Sequence, residues 1–159
     1  MAGITQAMAT SFKVELMDAY HNFGTAPTRG TSAADTFKMA LFKGTVTGTY
    51  DATTTNYSNM TGNTDETTGT GYSAGGNTLT ISNAPSSGAS PATTAWLSFS
   101  NTSWSTATIS SSGAMIYNST QGNRCVCVLS FGGIISSTAG TFTVQFPTAA
   151  ASTAIIQIQ

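Results

Sequence analysis

From Asp35 to the C-terminus the apolar residues recur at every second position, in short runs broken by Gly, Ser and Asn clusters. A period of two puts alternate side chains on opposite faces of an extended chain, so this region is predicted to be antiparallel β-structure. The clearest run is TFTVQFP (141–147), in which Phe142, Val144 and Phe146 face inward and Thr141, Thr143 and Gln145 face out. Pro147 ends it, because proline has no N–H for the ladder. TFKMALFKG places Phe37, Met39 and Leu41 on one face. TLTIS (78–82), TAWLSFS (94–100), WSTATIS (104–110), AMIYN (114–118), RCVCVLSF (124–131) and STAIIQIQ (152–159) bring the set to about eight candidates. That many short strands predicts a mainly β fold, an antiparallel β-sandwich or jelly-roll, built as one domain over residues 1–159.

The N-terminal part obeys a different period. Phe12, Leu16, Tyr20 and Phe23 fall at steps of four, four and three, which places them on one helical face, with Thr10 or Ser11 as cap and Gly24 as the stop. One N-terminal α-helix is therefore expected within an arm over 1–34, followed by a loop over 24–35 that carries Pro27 and Gly30. Val14, Met17 and His21 lie on another side of the same helix, more apolar coverage than docking on one sheet requires. Residues 44–77 read as a long loop excursion, poor in aliphatic side chains but anchored by Tyr50, Tyr57, Met60 and Tyr72. Loops of this length in a compact domain are usually functional or mobile.

Charge narrows the function. Only 7% of the residues are charged, against about 25% in an ordinary soluble domain, and the net charge is −1 with no run of either sign. The electrostatic footprint of a nucleic-acid binder is missing. No stretch approaches the apolar length that a membrane helix needs, and Lys13, Glu15 and Asp18 interrupt the start where a signal peptide would be apolar. Near-neutrality lowers self-repulsion and favours association. Apolar residues on both faces of RCVCVLSF and AIIQI add to the expectation of a symmetric homo-oligomer.

Candidate chemistry is sparse. Cys125 and Cys127 are the two cysteines; as i and i+2 of a strand their Cβ atoms stand too far apart for a disulfide, and a metal site would need further ligands. They read as small core residues. His21 could serve as a general base, but the end of a helix also favours an imidazole through the macrodipole. Asp65 and Glu66, with Asp51, could hold a calcium ion, although no EF-hand spacing accompanies them and a solvated loop reads better. GTGYSAGGN lacks the lysine and spacing of a phosphate loop and reads as a turn cluster before Thr78. No cofactor or metal site is expected.

Several stretches together resemble a family of small virion proteins of tailed bacteriophages: SFKVELMDAYHNFG, DTFKMALFKG, GTGYSAGGNTLT, SWSTATIS followed by GAMIYN, and VLSFGG with AGTFTVQFPTAAASTAIIQI at the end. The resemblance spans nearly the whole chain, departs in the loops around 24–34 and 84–92, and brings no catalytic residues with it. It implies a non-enzymatic structural protein of the virion, made in the host cytoplasm. The expected role is a capsid cement or decoration protein bridging major capsid subunits; the alternative is a fibre or tail component binding a receptor or glycan, with Trp96 or Trp104 and Tyr57 or Tyr72 stacking on sugar. Partner contacts are expected from the helix and the excursion, through Phe12, Leu16, Tyr20, Tyr57, Met60 and Tyr72. A wall-degrading hydrolase would need paired carboxylates facing a cleft, which six acidic residues, most of them in the helix or loops, supply poorly.

Overall fold

The computed structural model describes residues 2–24, 34–87 and 94–158. Of the loop read over 24–35, residues 25–33 lie outside the described residues, as do residues 88–92 of the loop around 84–92 and the following Thr93. The chain is mainly β with antiparallel sheets and an N-terminal helix. In order, the elements are β1 (Gly3–Ile4), β2 (Ala7–Met8), α1 (Thr10–Met17), β3 (Phe37–Lys43), β4 (Thr49–Tyr50), α2 (Ser58–Gly62), β5 (Asn77–Thr78), β6 (Ile81–Ser86), β7 (Ala95–Phe99), β8 (Thr102–Asn118), β9 (Arg124–Val144) and β10 (Ile156–Ile158). A five-stranded sheet runs β2-β9-β8-β3-β5 and a three-stranded sheet runs β10-β7-β6; a two-residue pairing of β1 with β4 is parallel. Pro85 sits in β6, at the edge of its sheet, where a missing N–H is tolerated.

The strand register shows how these parts stack. Directly opposed residues share a face, so Phe37 and Asn118, Met39 and Ile116, and Leu41 and Ala114 point to one side of the large sheet, while Lys38 and Tyr117, Ala40 and Met115, and Phe42 and Gly113 point to the other. On the first side Phe37 stacks on Phe23 at 4.3 Å and meets Phe99 of β7 at 5.9 Å, so the α1 segment and the small sheet cover it. On the second side Phe42 packs on Tyr50 at 4.3 Å and Tyr117 stacks on Tyr57 at 4.7 Å. The excursion is thus a third layer, and β3 and the start of β9 are buried on both faces. This removes the reason for expecting a second copy to hide RCVCVLSF: Cys125, Val126, Cys127 and Val128 are buried within their own chain.

Two further expectations are corrected. The helix ends at Met17, not near Phe23, and the stop is Ala19 in the left-handed region at φ 57° instead of Gly24. Phe23 then reaches the core from the irregular segment after the helix, held there by its stack on Phe37. The runs 104–110 and 114–118 are one strand, β8, and the run 124–131 and residues 141–144 of the run 141–147 belong to one strand, β9, through GGIISSTAG; the strand ends at Val144, before Pro147.

That long ribbon is possible because its hydroxyls repair its bulges. β8 and β9 pair from Thr102 and Val144 to Asn118 and Arg124, with register shifts at four places. Each bulge frees backbone groups from the ladder. Ser111 Oγ donates to Gly113 O at 2.9 Å, Ser112 Oγ donates to Lys43 O at 2.8 Å, Thr108 Oγ1 accepts from Ala139 N at 3.0 Å, and Ser130 Oγ accepts from Gly132 N at 3.3 Å. Ser and Thr, which read as turn formers in isolation, here sustain a strand.

Candidate interaction surface

The polar side chains that could carry chemistry are gathered into three internal centres. The first lies between the end of α1 and the β8–β9 turn. Asn118 Nδ2 donates to Asp35 Oδ2 at 2.7 Å, and its Oδ1 accepts from the N–H groups of Thr120 and Gln121, which fixes the amide orientation. The same Nδ2 lies 3.0 Å from His21 Nδ1, so that ring nitrogen accepts, and the proton on Nε2 is donated to Glu15 Oε2 at 2.7 Å. Glu15 Oε1 accepts from Arg124 Nη1 at 2.6 Å, and the guanidinium lies 4.4 Å from the Tyr20 ring centroid. His21 is buried with both ring nitrogens engaged, so it serves to lock the arm onto the hairpin and has no open lone pair for a general base.

The second and third centres organise the excursion, and here the adjacent acids are neither a solvated loop nor a calcium loop with Asp51. Asp65 is fully buried. It accepts from Tyr50 Oη at 2.7 Å, Gly48 N at 2.7 Å, Thr47 N and Thr47 Oγ1, and pairs with Lys43 Nζ at 2.8 Å. Burial alone would raise its pKa; the Lys43, Gly48, Tyr50 and Thr47 donors outweigh that and hold the carboxyl well below the usual range. The Tyr50 hydroxyl is pushed up, by burial first and then by its bond to Asp65. Glu66 accepts from the hydroxyls of Tyr57 and Tyr72 and from Gly75 N. Tyr117, whose hydroxyl donates to Gly75 O, is pushed up to about 12 by burial and by the Glu66 charge. Asp51 lies elsewhere, bonded to Thr53 at the surface. The glycines of GTGYSAGGN form the expected turns, Gly69, Gly71, Gly75 and Gly76 all having positive φ.

These centres relocate the expected contact residues. Phe12 and Met60 are fully buried, Leu16 is half-buried against the core, and Tyr57 and Tyr72 are tied to Glu66. The excursion is part of the fold, and of the six residues expected to meet a partner only Tyr20 is exposed. Of the aromatic residues expected for sugar, Trp104 is buried against Tyr72 and Phe142, and Trp96 is half-buried and lines an apolar groove with Phe12, Leu16 and Phe23. Among the described residues the surface offers aliphatic and methionine side chains at three places. Val14 and Met17 project from α1, Met17 being 80% exposed, Ile134 and Ile135 project from the bulge of β9 at 59% and 48%, and Ile158 is exposed at the end of β10. Val14 and Met17 belong to the second helical side read together with His21; Ile134 and Ile135 lie between the runs 124–131 and 141–147, in a stretch with no predicted element.

Charge is distributed unevenly around these patches. After Glu66 the chain carries one charged side chain, Arg124. The far half of the β8–β9 ribbon, the small sheet and the C-terminal segment therefore present hydroxyl, amide and apolar groups with no ionic component.

Cys125 and Cys127 are both buried and unpaired. Burial pushes the Cys127 thiol up to about 12 and raises that of Cys125 as well, the opposite of what a reactive thiolate requires. Among the described residues no group of three His, Cys, Asp or Glu side chains could hold a metal ion, and no helix is long and apolar enough to cross a membrane. Cys125→Ala with Cys127→Ala is expected to preserve the fold and cost about 1–3 kcal/mol of unfolding free energy from lost packing. Denaturant titration measures the cost, and stoichiometric zinc that disappears in the double variant would contradict this assignment.

No family model, no curated protein and no solved structure matches the chain.

Proposed function

We infer that this chain is a non-enzymatic structural protein of a phage virion, acting as a capsid cement or decoration protein that bridges major capsid subunits. The observation that carries this reading is the pairing of a surface that after Glu66 carries Arg124 as its one charged side chain with apolar side chains exposed on α1 and β9. Such a surface suits permanent packing against neighbours more than free solution, where net charge keeps proteins apart. The polar centres favour the same reading. His21, Glu15, Asp65 and Glu66 spend their hydrogen-bonding capacity on holding loops to the sheet, leaving none of them poised toward a substrate. The resemblance to small virion proteins supplies the remaining support.

The test is to locate the protein in intact particles by electron microscopy with a specific antibody. Label distributed over the shell is expected. Label confined to one vertex or to appendages would move the protein to the tail or fibre, and its absence from purified particles would end the virion reading.

A further inference from the structure

The strongest unpartnered feature of the molecule is the outer edge of β9. One edge of this strand pairs with β8 along its whole length, whereas the other meets β2 only at Cys127 and Val128. Among the described residues no strand pairs with that edge from Leu129 to Val144. An open edge presents backbone N–H and C=O groups ready for another strand, and chains ordinarily blunt it with lysine, proline or bulges. Here lysine and proline are absent from the whole of β9. The bulges over Phe131–Ile134 and around Thr138–Gly140 interrupt the near part, but from Phe142 to Val144, where the strand ends, the register with β8 is regular, Phe142 facing Trp104, Thr143 facing Ser103 and Val144 facing Thr102. A groove of about 480 Å³ runs along this stretch, walled by Phe131 and Ile135.

We propose that the edge over Thr141–Gln145 pairs antiparallel with the same edge of a second copy, around a two-fold axis through Thr143. The sequence of the stretch, TFTVQ, complements itself about its centre. With Thr143 opposite Thr143, Phe142 faces Val144 of the second copy and Thr141 faces Gln145. Aromatic with β-branched and threonine with threonine are favourable cross-strand pairs, and Phe142 and Val144 are both turned inward, so the apolar layers of the two copies join on one side while the exposed hydroxyl and amide groups meet on the other. No charge lies between Cys125 and Gln159, so no like charges are brought together. The contact is isologous and closes at two copies, which ends the edge instead of propagating it. This inference is independent of the virion reading and stands on the edge alone.

Sedimentation velocity at tens of micromolar tests it, with the circular dichroism spectrum recorded for every variant. The wild-type chain is expected to sediment as a species of twice the chain mass. Thr143→Lys, which opposes two ammonium groups across the axis at an exposed position, is expected to be a folded monomer. Thr143→Cys is expected to give a covalent dimer on mild oxidation, since directly opposed strand residues have the Cα separation a disulfide accepts; Thr138→Cys, outside the paired stretch, should not. A monomeric wild-type chain overturns the proposal, as does a dimer that survives Thr143→Lys or equal cross-linking at 138 and 143. A wild-type monomer whose Thr143→Lys variant loses its place on the particle would assign the edge to a foreign strand, which also overturns self-pairing.

Discussion

Asp65→Asn is expected to lower the unfolding free energy by about 3 kcal/mol, an effect larger than its place in a sequence-level loop would indicate. The carboxylate accepts from the Tyr50 hydroxyl, from the backbone of Thr47 and Gly48 and from the Thr47 hydroxyl. An amide of the same shape turns an N–H₂ toward donors, so buried N–H and O–H groups lose their acceptor, and it is this desolvation penalty that dominates. The pair with Lys43 contributes less, because that ammonium is about one-third exposed and can turn to water. The pH dependence follows from the depressed pKa. The folded chain binds this proton less readily than the unfolded chain, so the stabilisation is complete above the unfolded value of about 3.9 and is lost as the pH falls toward the folded value. Acid denaturation of the wild type should therefore steepen below about pH 4, and Asp65→Asn should flatten that limb. Asp51→Asn, at an exposed carboxylate bonded only to Thr53, is the comparison that should leave the urea midpoint near wild type; equal losses in the two variants would sink the assignment of Asp65 as the hub.

The role of Asp65 was hidden in the sequence for a physical reason. Two adjacent acids amid Gly, Thr and Asn resemble a solvated loop, and only their position beneath Tyr50, Tyr57 and Tyr72 makes them anchors. A cue existed in the spacing of those tyrosines, each carrying a donor that must find an acceptor when buried. The strands were more legible. In TFTVQF the alternation matched the burial of Phe142 and Val144 against exposed Thr141, Thr143 and Gln145, because a strand with one solvated face records that face in its period. Where both faces are covered, as in β3 and the start of β9, the alternation disappears and sequence alone does not say what supplies the second cover. The excursion supplies it. The helix was overextended because Tyr20 and Phe23 continue a helical spacing by coincidence, while the contacts that fix them, with Arg124 and Phe37, lie far along the chain. GGIISSTAG falls between the two runs assigned as strands because its glycines and hydroxyls are turn formers unless bulges and a long partner strand make use of them.

The closing of the excursion onto β3 depends on one position more than any other, and Gly76→Ala is expected to cost more than about 4 kcal/mol or to prevent folding. Gly76 has φ 66°, and a Cβ built there would lie 1.7 Å from the carbonyl oxygen of Met39 and 2.8 Å from Cα of Ala40. Both are backbone atoms of a strand buried on both faces, so neither can move aside without breaking the pairing of Met39 with Asn77 or the opposite pairing with Ile116. The left-handed conformation alone does not account for so large a loss, since the chain already holds Ala19 and Ala139 at φ 57° and 50°. Gly122 separates the two contributions. It has the same φ of 66° in the β8–β9 turn, with no atom within 4 Å of the added Cβ, so Gly122→Ala carries only the conformational cost of about 1 kcal/mol. Urea denaturation of the two variants side by side reads the difference directly, and a Gly76→Ala chain as stable as Gly122→Ala would mean that the excursion can lift from β3 while the sheet stays intact. With the stated geometry it cannot: the residues that would have to move are the same ones that carry Phe42 onto Tyr50 and Phe37 onto Phe23, so the third layer and the central sheet are expected to be lost in a single transition.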